Sequence, residues 1–122
     1  MANKRTVLVC DHEEGVLSQL QSELQKEGFE VSVLKDAGAL VATAQKMHPT
    51  VVVANPDMTA FNDYDVCKKI KQDLNIRVIL LLEPNSTRRA KIGECDADDV
   101  VTKPVATDLL ANLLNKHISL HQ

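Results

Sequence analysis

Three short stretches of this chain hold the residue types that can do chemistry. Asp11-His12-Glu13-Glu14 is an acidic turn after an apolar run, Asn55-Pro56-Asp57 follows another such run, and Lys103-Pro104 follows a third. Carboxylates in such a turn can hold a metal ion, cap a helix or pair with a lysine. The middle stretch decides between chemistries. Val51 to Ala54 reads as a strand buried on both faces, and Asn55 sits where it runs out. Pro56 cannot donate to a further ladder bond. In an open α/β sheet, ligands bind at the carboxyl ends of the central strands. Asn55 therefore occupies a position where chemistry is expected, yet it carries an amide, a hydrogen-bonding group but a poor nucleophile.

The elements that must position these residues follow from periodicity. Thr6 to Cys10 is a first strand. Val16, Leu17, Leu20 and Leu24 recur at helical spacing, and Gly28 is the C-terminal stop. Phe29 to Leu34 alternates as a second, less buried strand, and Asp36 is a candidate N-cap. Leu40, Val41, Ala44 and Met47 form the stripe of a second helix that ends before Pro49. After the strand at 51, Val66, Cys67, Ile70 and Leu74 face inward from a third helix. Val78 to Leu82 is an interior strand, closed by Glu83-Pro84-Asn85. Ser86 or Thr87 can cap a short fourth helix carrying Arg88, Arg89 and Lys91. Asp99 to Thr102 is a brief fifth strand, and Leu109, Leu110, Leu113, Leu114 and Ile118 mark a last helix.

Strands alternating with helices imply a parallel sheet covered on both faces. A dinucleotide-binding half would need glycines after the first strand, and the turn there is acidic. The strand order 2-1-3-4-5 is favoured: a doubly wound (βα)5, flavodoxin-like, three-layer α/β sandwich, with residues 1–122 as a single domain. Its switch point falls between strands one and three, at Asp11 and Asn55. The carboxyl ends of the strands then gather Asp11, His12, Asn55, Leu82 and Lys103.

Composition excludes several function classes. A net charge of −3 sets up no field for nucleic acid or an anionic membrane. One Tyr, two Phe and no Trp leave little to stack on bases or a flat cofactor. Cys10, Cys67 and Cys95 are expected to be reduced core thiols of a cytoplasmic protein. MANKRT has no apolar h-region, and no apolar run reaches membrane-spanning length.

Over nearly its whole length the chain resembles the receiver domain of two-component response regulators (CheY-like). LVCDHEE is similar to the family's first strand with its acidic pair. PTVVVANPDMTAFNDYDVC is similar to the segment with the buried strand, the phosphoacceptor Asp and the third helix. DADDVVTKP resembles the ending that carries the Lys-Pro. The resemblance implies phosphoryl transfer to an aspartate: a carboxylate nucleophile, Mg²⁺ held by two further acids, a lysine and a hydroxyl. Carried over residue by residue, the nucleophile position is Asn55, the acidic pair is Asp11 and His12, and the hydroxyl position is Leu82. Glu83 adds negative charge where a phosphate would come. The aromatic switch position is Val100, the loop Pro and Gly positions are Thr59 and Asp63, and Lys103 alone matches cleanly. Asp57 as the anchor would put Pro49 and Tyr64-Asp65-Val66-Cys67 out of family register. Deamidation of Asn55 is disfavoured because Pro56 lacks the N–H of the succinimide route.

These substitutions lead to the expectation of a degenerate pseudo-receiver. It is not an enzyme, needs no cofactor, binds Mg²⁺ weakly or not at all, and acts by binding protein. The expected partner belongs to a bacterial signalling pathway: a histidine kinase, an output domain or a second copy. The expected docking face combines the fourth helix, fifth strand and fifth helix, with Arg88, Arg89, Lys91 and Val100. The bland readings are a cap or a Lys103 pair for Asp11, a solvated His12, and a solvated helix face for the arginines. Alternatives are a receiver phosphorylated on Asp57, or a flavodoxin-like binder of a small ligand. The end at His121-Gln122, with no linker after the last helix, suits a stand-alone receiver or an excised module.

Overall fold

Val, Leu and Ile crowd the three runs that become the centre of the sheet: β1 (Thr6–Cys10), β3 (Val51–Ala54) and β4 (Arg77–Leu82). Branched side chains suit a pleated surface, and a run apolar at every position must be covered on both faces. In the computed structural model, which describes residues 5–58, 65–86 and 97–120, each of these strands is buried almost throughout. The less apolar β2 (Glu30–Leu34) and β5 (Asp99–Thr102) take the edges. All pairings are parallel and the order is β2-β1-β3-β4-β5, as expected.

Side-chain alternation divides the core by residue parity. Val7, Val9, Val51, Val53, Ile79 and Leu81 point to one face, where α1 (Glu14–Lys26) and α4 (Thr107–Leu120) cover them. Leu8, Cys10, Val52, Ala54, Val78 and Leu80 point to the other, where α2 (Leu40–Met47) and α3 (Asp65–Gln72) lie. This is the expected three-layer sandwich. Burying one such Leu or Ile contributes about 1.5–3 kcal/mol, so the interior strands are the anchor for the loops at their ends.

The helix ends follow from local chemistry. The backbone N–H groups of Gly28 and Phe29 donate to Gln25 and Leu24, and Gly28 has φ 93°. That is the paired closure of a left-handed C-terminal stop, which favours glycine. Asp36 does cap, through Gly38 N–H at 2.8 Å, but what it caps is a 3₁₀ turn, Ala37–Ala39, that leads into α2.

Several expectations need correction. Met47 and Leu109 are exposed, the latter by 54%. The buried stripe of α4 is Leu110, Leu114 and Ile118, which recur four apart, and Leu109 sits one residue off that line. Leu74 lies beyond the end of α3, although it still packs on the core. Cys67 is disulfide-bonded rather than a reduced thiol. Cys10 is free and buried, and burial, with Asp11 and Asp36 nearby, pushes its thiol up to about 12. The expected fourth helix with Arg88, Arg89 and Lys91, the loop positions Thr59 and Asp63, and Cys95 lie outside the described residues.

Candidate functional site

Adjacent parallel strands that end in register deliver their next residues to one place. Cys10 pairs with Ala54, and Asn55 N–H then donates to Cys10 carbonyl at 3.0 Å. Asp11 and Asn55 therefore emerge side by side, and both are fully buried. On the far side, Leu82 pairs with Thr102, and Lys103 N–H donates to Leu82 carbonyl at 2.8 Å. Lys103 follows β5 directly, and its peptide bond to Pro104 is cis. Leu82 is fully buried at the end of β4, and Glu83 begins the loop beyond it.

Lys103 is the hub. Its ammonium, on a side chain only 8% exposed, donates to Asp11 at 3.0–3.1 Å, to Glu83 at 2.8 Å and to Glu13. Burial alone would lower the lysine's affinity for its proton. The hydrogen bonds it donates to Glu13, Glu83 and Asp11 outweigh that and hold it well above the ordinary lysine value. For Glu83, burial raises the carboxyl, but hydrogen bonds from Lys103 and Asn55 and the nearby positive charge win, so it lies below the usual glutamate range.

Asn55 uses both ends of its amide. The oxygen accepts the Asp57 N–H at 2.8 Å. The nitrogen donates to Asp11 Oδ2 at 3.2 Å and to Glu83 Oε2 at 2.8 Å. The reverse orientation would turn an oxygen towards two carboxylates and a hydrogen-bearing nitrogen towards a backbone donor, so the surroundings dictate which end is which.

Asp11 is saturated as well. Oδ1 accepts from Glu13 N–H at 2.9 Å and from Lys103, while Oδ2 accepts from Asn55 and Lys103. Asp11 thus pairs with Lys103 and closes the turn before α1; the residue at the N-cap itself is Glu13, whose side chain makes no capping bond. His12 is 53% exposed, with ring nitrogens 3.6 Å from Asp11 and 3.9 Å from Glu83. Asp57 is turned away from the pocket floor. Its Oδ1 accepts from Ser86 hydroxyl at 2.8 Å and its Oδ2 from Glu83 N–H at 3.3 Å. Val100, half-buried on β5, packs against the core on the α2 and α3 face of the sheet.

The structure thus brings together Asp11, His12, Asn55 and Lys103. It adds Glu13, read in the sequence only as part of the acidic turn, Ser86, read only as a candidate cap, and a pairing role for Glu83. Ligand atoms of Asp11, His12, Glu13 and Glu83 lie within 4.8 Å of one another. His12 is more than half exposed, in line with a solvated side chain, and Glu83 joins this turn from the end of β4. The ordered ends of β4 and β5 are the signal that could have found it. A groove of about 390 Å³, lined by Glu13, Val16, Leu20, Glu83, Lys103 and Val105, opens beside the lysine.

Comparison with known proteins agrees with the topology. The profile of the response regulator receiver domain matches residues 7–115. Sensory transduction protein RegX3 of Mycobacterium tuberculosis is 32% identical over 110 residues, 88% of this chain and 48% of that protein. DNA-binding response regulator MtrA of Mycolicibacterium smegmatis is 26% identical over 102 residues, 83% of this chain and 45% of that one. The chain spans about half the length of these curated relatives. Among solved structures, the Francisella response regulator 1452 receiver domain superposes with a TM-score of 0.86 at 22% identity, covering 98% of this chain and 100% of that one. A receiver domain of a histidine kinase from Syntrophus aciditrophicus gives 0.83 at 24% identity, covering 93% and 89%. At these identities the structural likeness speaks for the fold.

Proposed function

The chain belongs to the response regulator receiver domain family, and from that premise we propose that it is a receiver working without phosphorylation, as a protein-interaction module of two-component signalling. The observation that carries this reading is the Asn55 amide, which donates to Asp11 and Glu83 from the phosphoacceptor position. An amide cannot supply the carboxylate oxygen that attacks phosphorus. Leu82 offers no hydroxyl, and Glu83 sets a carboxylate against the lysine, where it repels an incoming phosphodonor.

The Mg²⁺ that the family implies does not fit these residues. A hard ion of this size demands about six oxygen ligands in near-octahedral order. Both Asp11 oxygens already accept hydrogen bonds, the Asn55 oxygen is turned to Asp57 N–H, and His12 offers nitrogen. The Lys103 ammonium supplies the local positive charge in its place. No observation favours Asp57 as acceptor, because both its oxygens serve the loop after β4. The acidic rim likewise disfavours a phosphate-bearing small ligand.

The partner is a protein of the pathway: a histidine kinase, an output domain or a second copy. No helix among the described residues is long and apolar enough to cross a membrane. The test is to capture binding proteins on the immobilised chain from the source cell, with and without acetyl phosphate and Mg²⁺. The same set and amounts in both arms support the reading. A partner gained or lost only with the phosphodonor refutes it.

A further inference from the structure

Two donors converge at the pocket floor on one atom. Glu83 Oε2 lies 2.8 Å from Asn55 Nδ2 and 2.8 Å from Lys103 Nζ. A charged and a neutral donor meeting at one point is an arrangement that binds an oxyanion. Here the oxyanion is a side chain of the same protein. The backbone behind it is tied as well: Glu83 N–H donates to Asp57, Ser86 N–H to Glu83 carbonyl at 3.1 Å, and Ser86 hydroxyl to Asp57.

We propose that Glu83 is a built-in anionic ligand of the Asn55–Lys103 donor pair. It fastens residues 83–86 to the ends of β3 and β5 and keeps small oxyanions out of the pocket. This deepens the reading above and rests on it only for the identity of the pocket. An ordinary surface salt bridge would have both partners in solvent and no third group. Here one donor is fully buried and the other nearly so, and the acceptor is held by a loop with its own hydrogen bonds. The depressed glutamate agrees with an anion held by two donors. Lys103 keeps Asp11 and Glu13 if Glu83 is removed, so Glu83→Ala leaves no orphaned buried charge. It does empty a seat that the neighbouring groove connects to solvent.

Acetate is the fragment that Glu83→Ala deletes. ¹⁵N-labelled wild type and Glu83→Ala are titrated with sodium acetate against sodium chloride at equal ionic strength, and followed by NMR. The expected result is saturable, acetate-specific movement of the Asn55 side-chain NH₂ and the Ser86 amide in the variant, towards their wild-type positions, with the wild type unmoved. Equal movement in both proteins, or a folded variant blind to acetate, overturns the proposal. Should Glu83→Ala not fold, Glu83→Gln decides by hydrogen exchange at Ser86. Loss of a charged hydrogen bond is expected to speed exchange about tenfold, and an unchanged rate overturns the proposal. An aspartyl phosphate formed by the wild type would defeat the phosphorylation-free reading and leave these NMR results untouched, so the two failures are separable.

Discussion

Asn55 is held in both of its chemical characters, as acceptor for Asp57 N–H and as donor to two carboxylates. Aspartate is nearly the same shape but offers only the first. Asn55→Asp sets a carboxylate oxygen against Asp11 Oδ2 and Glu83 Oε2, at separations where an amide now bridges 3.2 and 2.8 Å. We expect the variant to lose about 2–3 kcal/mol of stability at neutral pH, part of the buried-charge penalty being offset by Lys103. Crowded carboxylates share a proton, so the folded variant binds more protons than the unfolded chain. Its deficit should therefore shrink as pH falls towards about 4 and widen as pH rises above it. Urea midpoints of the two proteins from pH 4 to 8 check this, and an equal midpoint at pH 7 would mean Asn55 is not facing those carboxylates. The position of Asn55 was legible in the sequence, because a buried run followed by Asn-Pro marks a strand end. Its partner Glu83 was legible only as extra charge, because the pairing depends on side-chain rotamers across two neighbouring strand ends.

Strand bounds follow from apolar patterning more closely than helix faces do. β1, β3 and β5 have the bounds that apolar patterning suggests, and β4 begins one residue earlier. Met47 and Leu109 read as stripe residues because an apolar residue adjacent to a stripe has the same type as one within it, and only the neighbouring element decides. One acidic residue ties elements together at the opposite end of the sheet. Asp98 accepts from Lys71 of α3 at 2.7 Å, from Val78 N–H of β4 at 2.8 Å and from Arg77. Burial raises its carboxyl, but the Lys71 and Val78 hydrogen bonds and the two cations prevail, so it lies below the ordinary aspartate value, as Glu83 does for glutamate. Carboxylates depressed in the folded state add stability that is present above the unfolded value. It is lost as pH falls through the folded one. Stability should fall below pH of about 4, the ordinary carboxylate range. Asp98→Asn should be less stable than wild type at pH 7, yet lose less on going to pH 3. Thermal melts of both proteins at the two pH values test this, and an equal acid loss would sink it.

At the scale of the whole molecule, the sheet brings the ends of β1, β3, β4 and β5 together and leaves there a network in which Lys103 holds Asp11, Glu13 and Glu83 and both Asp11 oxygens are already hydrogen-bonded. Such a domain should not depend on a divalent ion. Raising MgCl₂ to millimolar levels, with ionic strength held constant by NaCl, should leave the melting temperature unchanged. A saturable rise would show an ion bound to the folded state and would mean that Asp11 is available as a ligand after all. The family and the strand order were legible in the sequence. The self-contained pairing was not, because Glu13, Glu83 and Lys103 are far apart in the chain and meet only through the topology.

The central claim is that the phosphoacceptor position is chemically silent. Incubation of the intact chain with acetyl phosphate and MgCl₂, followed by intact-mass measurement, tests it most directly. The account predicts an unchanged mass. A gain of one phosphoryl group that is lost on mild alkaline treatment, as an acyl phosphate would be, would contradict it.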